Sequence, residues 1–128
     1  MSTVAPSNAE GAGVTADAGA EDVVNRFNVA WGAHDLAATI ALISADCVFE
    51  STAPPDGQRS VGPAAISAAW QPIFADTTSR FTVEDSFTAG AHVVQRWRYD
   101  WDGGHVRGVD LFTVRDGLVT EKIAYVKG

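Results

Sequence analysis

Residues 79–126 read SRFTVEDSFTAGAHVVQRWRYDWDGGHVRGVDLFTVRDGLVTEKIAYV, and the period of this stretch decides the fold. Phe81, Val83 and Phe87 alternate with Arg80, Thr82, Glu84 and Ser86. Val93, Gln95, Trp97, Tyr99 and Trp101 alternate with Val94, Arg96, Arg98 and Asp100. A period of two belongs to strands, whose successive side chains point to opposite faces. Ala89-Gly90 turns the chain, Asp102-Gly103-Gly104 is a hairpin signal, and Asp116-Gly117 turns it again. The stretch therefore predicts an antiparallel meander that closes with Leu118–Val126.

Upstream the period changes. Val23, Val24, Phe27, Ala30 and Trp31 recur at steps of three and four, which predicts a helix from about Glu21. Glu21 and Asp22 stand in its first turn, where the helix dipole favours acids. Gly32 ends it. Asp35 caps a second helix with the face Leu36, Ile40 and Ile43. Cys47–Thr52 reads as a strand and Ala53–Gly57 as a loop. Gly62-Pro63 opens a third helix with Ile66, Trp70 and Ile73 inward, and Pro72 is expected to kink or end it. Helices first and a meander afterwards make an α+β plan.

Residues 1–18 carry no large apolar side chain beyond Met1, Val4 and Val14. They cannot bury enough surface to offset the entropy of ordering them and read as a flexible tail, leaving 19–128 as one domain. At 128 residues the chain suits a single core. Its net charge of −7 argues against nucleic acid and anionic membranes as partners. No apolar run approaches the roughly 18 residues of a membrane span, and no signal peptide opens the chain, so a cytoplasmic setting is expected. Cys47 is the one cysteine, which excludes an internal disulfide and a cysteine-based metal cluster. His34, His92 and His105 lack metal-ligand spacing and no glycine loop suggests a nucleotide site, so neither a metal nor a cofactor is expected.

Val23–Leu36 resembles the opening helix pair of the nuclear transport factor 2-like superfamily, and Cys47-Val-Phe-Glu-Ser51 its first strand. Arg107–Phe112, Val114–Gly117 and Glu121–Tyr125 are similar to the closing strands of its SnoaL-like members. The resemblance covers about residues 20–128. It implies a cone: a curved, mostly antiparallel sheet wrapped around three N-terminal helices, with a pocket at the wide end. Members include ketosteroid isomerases, polyketide cyclases, dehydratases, epoxide hydrolases and non-catalytic proteins, and most are homodimers. Against the ketosteroid isomerases, the helix tyrosine position holds Phe27 and the strand base position holds Ser51. Only the later aspartate is matched, by Asp110, so steroid isomerisation is not expected. The Arg/Asp/Asp arrangement of the epoxide hydrolases is not visible either.

Asp110 lies between Val109 and Leu111, and alternation puts it on one face with Gly108 and Phe112. The resemblance turns that face into the cone, where burial suits a carboxyl to proton transfer. Tyr125 is expected inward with Glu121 and Ile123, its phenol available to an oxyanion or to Asp110. Asp110 and Tyr125 are therefore the candidate catalytic pair. Phe27, Trp31, Trp70, Trp97, Tyr99, Trp101 and Phe112, with Ser51, are the candidate walls for a small apolar molecule. The same aromatic stripe serves equally as plain core. Glu50 alternates with Ser51 and is expected outward; a bulge would reverse the two and pair Glu50 with Asp110.

These features support a small-molecule enzyme using proton transfer: an isomerase, cyclase, dehydratase or hydrolase. The alternatives are a binding protein for a small hydrophobic ligand and a dimeric interaction module with a filled cone.

Overall fold

The computed structural model describes residues 16–128. Of the expected tail, residues 1–15 lie outside the described residues, and residues 16–18 already belong to the first helix. The elements are α1 (Ala16–Gly32), α2 (Leu36–Ile40), β1 (Ile43–Glu50), β2 (Arg59–Val61), α3 (Pro63–Ala75), β3 (Arg80–Ala89), β4 (His92–Trp101), β5 (Gly104–Arg115) and β6 (Leu118–Val126). No described helix is long and apolar enough to cross a membrane.

The helical spacing of α1 buries Ala20, Val23, Val24, Phe27 and Ala30 along one stripe. Its end follows from His34, which takes φ 56°, and from Asp35, whose carboxylate accepts the Ala38 N–H at 3.0 Å to start α2. Ile43 opens β1 instead of closing α2, so the second helix is shorter than expected. Pro72 neither ends nor shortens α3, which runs on to Ala75 and buries Phe74. The three-residue β2 lies downstream of the proline-rich loop and was not foreseen.

The six strands form one sheet in the order β2-β1-β6-β5-β4-β3. Three hairpins zip β3 to β6 together, and β1 joins β6 in parallel, the one parallel pairing of the sheet. Asp116 and Gly117 take φ 54° and 77°, the left-handed pair that a two-residue turn between right-twisted strands demands. Helix α1 packs across β3–β6 and α3 against β1 and β2, so the helices cover one face. Phe27, Ile66, Trp70, Phe49, Phe112 and Val119 are the middle of the core between them.

Candidate functional site

The register of the sheet sets which residues meet under the helices. Asp110 pairs with Gln95 on β4 and with Ala124 on β6. One step along, Phe112 pairs with Val93 and with Lys122, and Lys122 pairs with Phe49 on β1. On the other side Gly108 pairs with Trp97 and Val126. All these side chains share the covered face, so a carboxylate, an amide and an ammonium group lie inside an apolar layer.

Asp110 is only 1% exposed. The Gln95 amide donates to its Oδ2 at 3.0 Å, and Lys122 Nζ donates to its Oδ1 at 3.3 Å. Gln95 is itself oriented from α1: Asn28 Nδ2 donates to Gln95 Oε1 at 2.8 Å, and Gln95 Nε2 donates back to Asn28 Oδ1 at 3.2 Å. The polar chain thus runs from α1 through β4 and β5 to β6, with each amide orientation set by its neighbour. Lys122 is 6% exposed and lies 4.9, 5.2 and 5.8 Å from the ring centroids of Trp31, Phe49 and Phe112. Ring faces attract a cation, and the desolvated ion pair with Asp110 supplies the opposite charge.

Beside this pair lies an open cavity of about 310 Å³. Asp110, Lys122 and Ala124 form part of its floor, and the small Ala124 leaves the room. Trp31, Phe49, Phe81, Trp97, Tyr99 and Val106 give it apolar walls, while Ser51, Thr52, Gln58 and Ser60 line a polar side. The Ser51 hydroxyl oxygen accepts the Gln58 N–H at 2.9 Å, which folds the loop back at the cavity. Gly57 needs its φ of 78° there, and a Cβ on it would strike the Ser51 carbonyl. A cavity of this size and mixed lining suits a small ligand. The Trp97 ring packs close to Gly108, where a Cβ would collide with it and with the Tyr125 carbonyl.

Of the expected wall residues, Trp31, Ser51, Trp97 and Tyr99 line the cavity. Phe27, Trp70 and Phe112 do not: they are buried in the core behind it, in edge contacts of 5.7 Å between Phe27 and Trp70 and 5.3 Å between Phe27 and Phe112. Trp101 is 41% exposed at the end of β4, packed beside Tyr99 and over Gly104. Asp110 is inward as expected. Tyr125 is not; it is 57% exposed on the outer face, opposite Val109. The cause is an extra residue in β6. Val114 pairs with Val119 but Thr113 pairs with Glu121, so Thr120 is a bulge and the phase of the strand reverses beyond it. Lys122, Ala124 and Val126 turn in, and Glu121, Ile123 and Tyr125 turn out. Lys122 was therefore missed, because a lysine in a strand ordinarily reads as solvent-facing.

Glu50 points away from the cavity and pairs with Arg59 at 3.1 Å, so it forms no couple with Asp110. His34 Nε2 lies 3.4 Å from Ser79 Oγ, and His92 Nδ1 lies 3.2 Å from Thr113 Oγ1. No group of histidine, cysteine and carboxylate side chains fit to hold a metal occurs among the described residues. On the outer face Arg107 takes Glu84 at 3.0 Å and holds its carboxyl below the usual range. Arg98 does the same to Asp100 at 3.0 Å.

A model of the SnoaL-like domain family matches residues 24–122. The chain is similar to the structure of an NTF2-like protein of unknown function from Mesorhizobium loti, with 41% identity and a TM-score of 0.81 over 88% of this chain and 93% of that one. It also resembles a putative ketosteroid isomerase from Kribbella flavida, at 14% identity and TM-score 0.76 over 89% and 82% of the two chains. A putative polyketide cyclase from Xanthomonas campestris is similar at 21% identity and TM-score 0.71 over 88% and 93%. The last two likenesses establish the fold alone. No curated protein sequence matches the chain.

Proposed function

The chain belongs to the SnoaL-like domain family and has the cone fold of NTF2-like proteins, and from that premise we propose that it is an enzyme of proton transfer. Its substrate is a small, mostly apolar carbonyl compound. The observation that carries this reading is the Asp110–Lys122 pair on the floor of the cavity. Asp110 removes a proton from the carbon beside the carbonyl and returns it elsewhere on the substrate. Lys122 meets the carbonyl oxygen as negative charge develops there, in surroundings poor in water where such an interaction is strong. Isomerisation, cyclisation and dehydration all begin with that step. Tyr125, on the outer face, has no part in it.

The test is proton exchange. Small ketones incubated with the protein in D₂O are followed by NMR for loss of the α-proton signal. Exchange by the wild type and none by Asp110→Asn is the expected result. Exchange unchanged in Asp110→Asn removes the proposal.

One feature favours a second reading, a binding protein without turnover. Both oxygens of Asp110 already accept hydrogen bonds, as in a carboxylate that only completes a network. Saturable quenching of tryptophan by ketones that never exchange would select it. The open cavity supports either reading over a filled interaction module.

For the partner we propose a second copy of the chain, met through the outer sheet face. Phe87, Val94, Leu111 and Ile123 form an apolar row across four strands, with Phe87 60% and Leu111 39% exposed. Tyr125 stands in the next row. A patch of this kind marks an interaction surface. Analytical ultracentrifugation at micromolar concentration is expected to give twice the chain mass, and Leu111→Glu to give the monomer.

A further inference from the structure

We propose that Lys122 condenses with aldehydes and ketones in the cavity to form a protonated imine. The inference rests on the reading that a carbonyl compound enters this cavity, and goes beyond it in making the encounter covalent. Three observations carry it. Lys122 lines the cavity beside Asp110 and Ala124. Asp110 Oδ1, at 3.3 Å, is the one side-chain acceptor hydrogen-bonded to that nitrogen among the described residues. Three aromatic rings stand around it within 5.8 Å. An ammonium group has three N–H donors, whereas the iminium of a ketone or aldehyde has one. One acceptor and a cage of rings match the iminium in hydrogen bonding and in charge.

The pair also supplies the proton traffic. Asp110 takes a proton from the ammonium, and the freed amine adds to the carbonyl carbon. The new C–N bond leaves the charge on the carbonyl oxygen, which takes the second nitrogen-bound proton to give the carbinolamine. Asp110 then returns its proton to that hydroxyl, the C–O bond breaks and water departs. The iminium faces the Asp110 carboxylate, and no oxidant or reductant is consumed. Gln95, clamped by Asn28, holds Oδ2 throughout, so the shuttling oxygen is Oδ1.

The sequence provides its own control, because Lys122 and Lys127 are its two lysines and Lys127 is exposed. The full chain is incubated with benzaldehyde and sodium cyanoborohydride at neutral pH, and the benzylated residues are mapped by peptide mass spectrometry. Lys122 is expected to be labelled faster than Lys127, on the order of tenfold or more, because the carboxylate and the rings hold the iminium that cyanoborohydride reduces. The ratio is expected to fall to about one in urea, where both amines share the same solvent. Asp110→Asn should slow labelling of Lys122 and leave Lys127 unchanged. Ala124→Leu, which touches neither charge, should block Lys122 alone and covers the case in which Asp110→Asn does not fold. Labelling of Lys127 with Lys122 untouched overturns the proposal. Quenching of Trp31 and Trp97 by benzaldehyde then locates the failure. Saturable quenching leaves the carbonyl-binding reading standing, and its absence overturns that reading too.

Discussion

Asn28 and Gln95 exchange two hydrogen bonds between α1 and β4, and this exchange turns the Gln95 amide nitrogen toward Asp110. A glutamine without that clamp is free to present either end. Asn28→Leu is therefore expected to destabilise the fold by about 1–3 kcal/mol, the cost of leaving a buried amide half satisfied. Urea unfolding followed by tryptophan fluorescence measures it. A change within error would show that Gln95 needs no guide.

Lys122→Met and Asp110→Leu each strand a buried charge and are expected to cost about 3–5 kcal/mol. The double variant is expected to recover most of that loss, because two apolar side chains leave no charge behind. A double-mutant cycle in urea reads the coupling. Costs that simply add would mean that the two side chains do not sense each other.

Gly108→Ala is expected to destabilise the fold by about 1–3 kcal/mol, because the added carbon meets the Trp97 ring and the Tyr125 carbonyl. The displaced ring should also change the fluorescence of the native state. Gly19→Ala, inside α1 with nothing within 4 Å of the added carbon, is the contrasting control and is expected to stabilise by about 0.5–1 kcal/mol.

Two pH effects have opposite signs. Glu84 and Asp100 are held below their usual range by Arg107 and Arg98, so their contribution is complete above about pH 5 and is lost as pH falls through their folded values. Glu84→Gln should flatten the acid limb of stability. Burial, and next Asp46, pushes the Cys47 thiol up to about 12. Its contribution is complete below the ordinary thiol value of about 8.5 and declines as pH rises toward the folded one. Native Cys47 should resist iodoacetamide at pH 8 and react readily in urea; fast reaction of the native protein would contradict its burial.

Much of the fold is legible in the alternation of residues 79–126 and in Asp116-Gly117, because turn chemistry and period are local. Asp110 is legible too, since a carboxylate between Val109 and Leu111 needs a reason to be there. Its partners are not. Gln95 falls on the inward set by alternation, but nothing local ties it to Asn28, 67 positions away. Tyr125 falls on the outer face and Lys122 on the inner one through a single event, the bulge at Thr120, which only the pairing of β6 with β5 reveals. Pro72 failed as a stop because tertiary packing of Trp70 and Phe74 outweighs one missing backbone bond.

The parallel seam between β1 and β6 also fixes an order of events during synthesis. Strand β6 is the last in sequence yet sits between β1 and β5. Until it emerges from the ribosome, β1 and β2 have no sheet to join, and Phe49 lacks the Lys122 ammonium beneath it. Contacts between distant parts of a chain close late and slowly. The nascent protein therefore carries an unpaired β1 edge from the synthesis of β1 until that of β6, the kind of surface that holding chaperones cover.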